Sequence, residues 1–311
     1  MPSMLTHHLF GQKVLQKYGR AFEEKIDTQD AFIMGCQGPD PFFFAALGPR
    51  PKDYLRFGQL LHGTNVTQSS IFVPEKAAYE TGGVFLREER EILFAYLTGY
   101  LCHYSLDRTA HPYIYAVQYE ECKKLELDRD KAHIHMRLET VIDSLLTEQY
   151  ENPNKLLPRN KKVCLAISGM YQNTAAEIYG LALSKRCFWR AIRCTRMLER
   201  FLKSKRGVKR SFLVRVERLF CKYSMYDAMS HSRGLKGLED PLNLQKREWI
   251  SPADNKVRTE TFHELFSEGL KQAVDTIRLL QKGASSAEIT GGIGFDGTEE
   301  TITPPNQTTN S

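Results

Sequence analysis

A histidine is followed four residues later by a carboxylate twice in this chain, at His103 and Asp107 and again at His135 and Glu139. Four residues is about one α-helical turn, so each pair shares a helical face and can reach a common point. A neutral imidazole and a carboxylate so placed can chelate one divalent cation. His111 follows Asp107 by four, and Pro112 reads as a helix stop that puts His111 in extended backbone, where it serves a neighbouring ion. Three further stretches offer ligands: His7 beside His8, Asp40 between Pro39 and Pro41, and His62 just before Gly63. Imidazole with carboxylate suits zinc, and several such groups in one pocket suit a cluster of ions. A carboxylate can bridge two ions where one imidazole nitrogen cannot, which makes Asp107 the candidate bridge. One pair alone would read as an ordinary surface or capping pair; two pairs with His7, Asp40 and His62 ask for a common explanation.

These residues need helices to hold them. The apolar, helix-periodic run Glu91–Tyr100 leads into His103, and a second helix is expected over Asp130–Leu146, around His135 and Glu139. Leu5–Tyr18 reads as a first helix, with Thr6 as its cap, and Asp53–His62 as another that ends at Gly63. The stretch Ala31–Pro51, punctuated by Gly35, Gly38, Pro39, Pro41, Gly48 and Pro49, reads as an apolar loop carrying Asp40. A glycine break near Gly82–Gly83 precedes the helix of His103. Later helices are expected over Lys162–Leu183, Lys185–Lys203, Ser211–Ala228 and Thr259–Leu280, with a looser region around Gly234, Gly237 and Pro241. No β-alternation, Rossmann glycine pattern or internal repeat stands out. The fold class is all-α, one multi-helix domain over residues 1–282, with the metal ligands within 1–145 and a helical extension over 146–282. Residues 283–311, rich in Gly, Ser, Thr and Pro, read as a disordered tail that adds nothing to the core.

Composition bounds the rest. Of 311 residues, 41% are hydrophobic and 26% charged, the profile of a soluble globular chain with length enough for a large core. The net charge of +6 permits an anionic partner without requiring one. No apolar run reaches the length of a membrane span, and Met1–Val14 lacks the basic region and apolar core of a secretory signal. Seven scattered cysteines with no CxxC pair argue for reduced thiols, hence a cytoplasmic setting, and against a cysteine zinc site.

The ordered set His7, Asp40, His62, His103–x–x–x–Asp107, His111 and His135–x–x–x–Glu139 resembles the bacterial zinc-dependent phospholipase C family, whose helical fold and metal cluster are shared with single-strand-specific nucleases. The wording around the ligands is similar too: Thr6–His7, Gly38–Pro39–Asp40–Pro41–Phe42, Gly99–Tyr100–Leu101–Cys102–His103 and His111–Pro112. The motifs span residues 1 to about 145, with a weaker likeness through Trp249 and Ser251–Pro252 to Phe262–Phe266. The resemblance implies two or three zinc ions. Asp40, His62, His103 and Asp107 would hold one, and His111, His135 and Glu139 a second. His7 and Asp107 are the only matches to the set that holds a third. His8 and His133 have no place in that pattern.

What the resemblance implies is a phosphodiester hydrolase in which zinc activates water for attack at phosphorus. Asp40 would be a ligand, and could also orient the attacking water. The implied substrate is a phospholipid or another phosphodiester. Nuclease or nucleotidase action at the same cluster is the second reading, and a non-catalytic helical protein stapled by its metals the third. Phe42, Phe43 and Phe44 could line a pocket, although packing in a core is the simpler role. Arg108 could neutralise a phosphate or stay solvated. The basic stretch Lys185–Arg218 reads as an amphipathic helix with a charged face, which could make peripheral contact with anionic lipid or with nucleic acid.

Overall fold

The computed structural model describes residues 4–18, 25–45, 51–63, 87–124, 131–147, 156–202, 215 and 238–300. Among them are α1 (Met4–Tyr18), α2 (Ile26–Gly35), α3 (Pro41–Phe44), α4 (Pro51–Leu61), α5 (Arg87–Lys124), α6 (Lys131–Thr147), α7 (Lys161–Tyr179) and α8 (Cys187–Leu202). A two-stranded hairpin of β1 (Trp249–Ile250) and β2 (Val257–Arg258) follows, then α9 (Phe262–Gln281) and α10 (Ser286–Thr290). The all-α class therefore holds. None of these helices is long and apolar enough to cross a membrane.

The axis of the molecule is α5. Every residue from Ala95 to Asp107 is buried, so this helix is covered on all sides, by α1, α2, α6, α7 and α9. A helix that is apolar all round can only be satisfied in the middle of a bundle. Its ends carry the expected charges, Glu88 and Glu89 in the first turn and Lys123 and Lys124 in the last, each sign favourable to the helix dipole.

Pro112 does not stop the helix, contrary to the sequence reading; α5 runs through it to Lys124. A proline inside a helix forfeits one i→i−4 bond, here to the Arg108 carbonyl, and a neighbour must cover the freed oxygen. The backbone at Gly297 packs closely against this turn: a Cβ there would stand only 2.8 Å from Arg108 O and 2.6 Å from Pro112 Cγ. With tertiary packing on both sides, His103, Asp107 and His111 continue at i, i+4 and i+8 along one face.

Two more expectations change. The stretch 31–51 is not all loop: α2 extends to Gly35 and α3 spans Pro41–Phe44, with a turn between them that holds Asp40. Residues 283–300 are folded and belong to the core: Phe295 is 2% exposed, and α10 opens on a capping box between Ser285 and Glu288. Their composition hides this, because one buried aromatic is diluted among glycines and threonines. The expected helix over Ser211–Ala228, the Gly82–Gly83 break and residues 301–311 lie outside the described residues, as does nearly all of Lys203–Arg218.

Other elements follow the sequence closely. In α7, Asn160 caps the first turn by accepting from Val163 N, and Gly180 ends it at φ 62°. A Thr261–Glu264 capping box opens α9. The six described cysteines are free thiols, five of them buried. Phe42 is fully buried against Phe57 and Tyr171, a core role, whereas Phe43 and Phe44 are partly exposed.

The crossing of α2 and α5 depends on two glycines. A Cβ at Gly35 would fall 2.0 Å from Tyr96 O, and one at Gly99 would fall 2.2 Å from Phe32 O. Both obstacles are backbone and cannot yield as a side chain can. Gly99→Ala should therefore destabilise the fold by about 3 kcal/mol or more in urea unfolding. A loss under about 1 kcal/mol would mean the helices can separate without consequence, against this account of the crossing.

Candidate metal centre

The eight residues singled out by sequence converge on one place. Their ligand atoms form three groups: His7, His103 and Asp107; Asp40, His62 and His103; and His111, His135 and Glu139. His103 is common to the first two, and His111 of the third lies 3.7 Å from Asp107 Oδ1 and 3.8 Å from Glu139 Oε1. Around Asp107, His7 Nε2 lies 3.2 Å from Oδ1 and His103 Nε2 3.1 Å from Oδ2. Around Asp40, His62 Nε2 lies at 2.9 Å and His103 Nε2 at 3.6 Å. His135 Nε2 is 3.2 Å from Glu139 Oε1.

Each side chain is positioned by a different device. α5 supplies His103, Asp107 and His111 by helical repeat. α6 supplies His135 and Glu139, and four residues further on the same face comes Asp143, fully buried. Asp143 accepts from Leu5 N at 3.3 Å, Thr6 N at 3.0 Å and Thr6 Oγ1 at 2.5 Å. It thus satisfies first-turn donors of α1 and fixes His7, next to Thr6. Thr6 lies inside this first turn rather than capping it, and the capping carboxylate comes from another helix. His8 points elsewhere and pairs with Gln12 at 3.1 Å. Asp40 follows a turn at Gly38, whose φ of +51° favours glycine; a Cβ there would sit 2.3 Å from the His103 ring.

Three imidazoles are locked from behind. Nδ1 of His62 meets Gly58 O at 2.9 Å, Nδ1 of His111 meets Phe295 O at 2.8 Å, and Nδ1 of His135 meets Gln118 Oε1 at 3.0 Å. An acceptor at Nδ1 keeps the proton on that nitrogen and leaves the Nε2 lone pair facing the cluster, the arrangement metal-binding histidines use. His103 Nε2 lies between two carboxylates yet, among the described residues, has no hydrogen-bond partner; Glu139 Oε2 is likewise buried without one. Buried polar atoms left this way are costly unless a cation completes them. Five imidazoles and three carboxylates are a donor set that fits zinc.

Sequence reasoning missed Asp143, Gln118 and Phe295. The first two were within reach: Asp143 extends the spacing His135, Glu139 by one further turn, and Gln118 follows His111 by two turns. Phe295 carries no local signal, since its role is played by a backbone carbonyl and a ring at 5.1 Å from His62 and 5.9 Å from His103. Arg108 is not turned to the cluster: it donates to Thr290 O at 3.2 Å and stacks over Tyr104. On α8, Arg190 stacks over Tyr54 and Arg196 donates to Leu157 O, while Arg186 and Arg193 stay exposed, a mixed face rather than a uniformly free basic one.

Comparison with known proteins gives one match. A family model described as zinc dependent phospholipase C aligns with residues 6–182, more than half the chain and all eight clustered positions. No curated protein and no solved structure matches the chain significantly.

Without a metal the buried carboxylates favour protonation of part of the cluster, while His103, lowered by burial, is disfavoured as a cation. Burial would lower the pKa of His111, but the charges of Asp107 and Glu139 outweigh it and push it up to about 9. Burial would raise Asp107, but His103, His111 and His7 hold it well below the carboxylate range. Glu139 is low for the same kind of reason, through His135 and His111. Because His111 is raised on folding, its contribution is fully present below about pH 6.5 and lost as pH climbs through about 9. Metal needs the neutral imidazole, so its stabilisation should grow over the same window. Thermal melts with zinc and with chelator should therefore diverge from pH 6.5 to 9; a zinc-dependent shift that shrinks with rising pH would contradict this assignment.

Proposed function

The chain belongs to the zinc-dependent phospholipase C family, and we propose that it hydrolyses phosphodiesters of the phospholipid class with two or three zinc ions held by the clustered residues. The observation that carries the reading is the convergence of five imidazoles and three carboxylates in three adjoining groups, two of which share His103, while His111 of the third lies 3.7 Å from Asp107. We assign Asp40, His62, His103 and Asp107 to one ion, and His111, His135 and Glu139 to a second. His7 and Asp107 are the chain's ligands for a third; they face a small cavity walled by Ile114, Ile142 and Phe262, which leaves space for whatever completes that set.

Bound zinc would supply a Lewis acid for phosphoryl oxygens and lower the pKa of a water toward about 7. The remaining work belongs to the chain. Three carboxylates neutralise only three of the four charges on two zinc ions, so the loaded centre stays cationic and favours an anionic phosphodiester. To Asp40, held by His62 and bordered by His103, we assign the further role of accepting a hydrogen bond from the attacking water and aiming it. Phe43, partly exposed with its ring 5.1 Å from His62, offers an apolar edge suited to the glycerol and acyl part of a lipid, while the buried Phe295 ring excludes water from behind. The domain we assign to this activity runs over 1–282 with the folded segment 283–300 added to it.

Purified protein should carry two or three zinc ions per chain by elemental analysis. His103→Ala and Asp107→Ala should each lose metal and reduce turnover by roughly 10³-fold or more. Undiminished turnover in either variant, or a chain that takes up no zinc, would refute the proposal. Parallel assays on phosphatidylcholine, a chromogenic phosphodiester and single-stranded nucleic acid should show hydrolysis of the first two; cleavage of nucleic acid alone would transfer the site to the nuclease reading.

A further inference from the structure

The family match ends at residue 182, yet the segment 286–300 is built into the back of the cluster. It docks along one side of α5 at successive turns. Tyr104 Oη donates to Ile293 O at 2.6 Å, and Arg108 donates to Thr290 O at 3.2 Å. His111 Nδ1 donates to Phe295 O at 2.8 Å, and Gly297 backs onto Pro112 and the Arg108 carbonyl that proline leaves without its helical donor. Positions 104, 108 and 112 flank the ligand face formed by 103, 107 and 111. Phe295 is 2% exposed, and its ring packs on Tyr104 at 5.2 Å as well as on His62 and His103.

We propose that segment 286–300 is a positioning element for the His111–His135–Glu139 group, acting through the Phe295 carbonyl, and that docking of the segment and metal occupancy of that group are thermodynamically linked. This rests on the proposed metal loading. The carbonyl fixes the tautomer and plane of His111, so that Nε2 points at Glu139 and Asp107. Of the three imidazoles locked from behind, His111 is held by an acceptor 184 residues away in sequence. The other two are held from four and seventeen residues away. A ligand oriented by a distant segment is oriented only while that segment is seated. Whatever favours the seated segment must favour the metal, and by reciprocity the metal must hold the segment down.

Two substitutions loosen the segment without touching a ligand. Tyr104→Phe removes the bond to Ile293 O and keeps the ring. Gly297→Val adds bulk at φ +80°, a conformation side chains rarely adopt, against Pro112 and the Arg108 carbonyl. Full-length protein would be titrated with zinc against a chromophoric chelator, and hydrogen exchange of peptides covering 286–300 followed with and without zinc, using α7 as the internal reference. Each variant should weaken one zinc by about 10–100-fold and leave the others within about threefold. Zinc should slow exchange of 286–300 in the wild type more than it slows α7. Should Gly297→Val fail to fold, Tyr104→Phe still decides the matter. Faster exchange of the segment with every zinc affinity unchanged would overturn the linkage alone. So would a wild-type segment that exchanges equally with and without zinc while the ions bind at full occupancy. A wild-type chain that binds no zinc would overturn the reading beneath it, and the linkage with it.

Discussion

Asp107 is the constraint on which the structure turns. It is a buried carboxylate with three imidazoles around it, on a helix whose preceding dozen residues are all buried. A carboxylate at that depth costs several kcal/mol unless positive charge or strong donors surround it. Meeting that demand fixes much else. His103 and His111 come from the same helix one turn either way, which requires α5 to stay regular from 103 to 111. His7 must come from another element, which requires the start of α1 to be pinned close by, and Asp143 does the pinning. A second buried carboxylate therefore serves the first.

Close approach is the other side of that demand. Ligands from separate elements can converge within hydrogen-bonding range only if the backbones that carry them come close. Gly35 and Gly99 let α2 cross α5 with carbonyls where a Cβ would be, and Gly38 lets the turn before Asp40 lie on the His103 ring. The three glycines sit at 35, 38 and 99, each within about a turn of a clustered residue or on the helix that bears it. Their conformational freedom matters here because no other residue has so little bulk, and at Gly38 because the backbone is left-handed as well. The apolar surroundings and the crowded carboxylates are thus one design seen from two sides: tight packing excludes water, and exclusion of water raises the worth of each charge pair.

Much of this was legible in the sequence because helical ligand pairs advertise themselves. His103–Asp107 and His135–Glu139 need only the 3.6-residue period to be read as shared faces; the helix bearing the second pair begins and ends within a residue of expectation, whereas the helix bearing the first starts four residues earlier and runs on past Pro112 to Lys124. Asp40 could be marked out by its flanking prolines. What could not be read was anything whose partner lies far along the chain. Asp143 looks like an ordinary helix acid until α1 is laid against it. Phe295 lies in a run of glycine and threonine that composition assigns to a tail; one aromatic and one carbonyl decide otherwise, and neither leaves a periodic trace.

Pro112 shows why a correct local rule gave a wrong local answer. Proline disfavours the helix interior because it removes a donor and crowds the preceding turn. Taken alone, residues 108–112 should end the helix. In the folded chain the helix continues, with the backbone at Gly297 packed against the Arg108 carbonyl and the Pro112 ring. The same segment then meets His111 with a backbone oxygen. Segment 295–297 thus packs against the turn at Pro112 and holds the imidazole just before it. The residue expected to break α5 is therefore one against which a distant segment packs beside the cluster. A helix with alanine at 112 would close its own hydrogen bond to Arg108 and offer that segment less to hold.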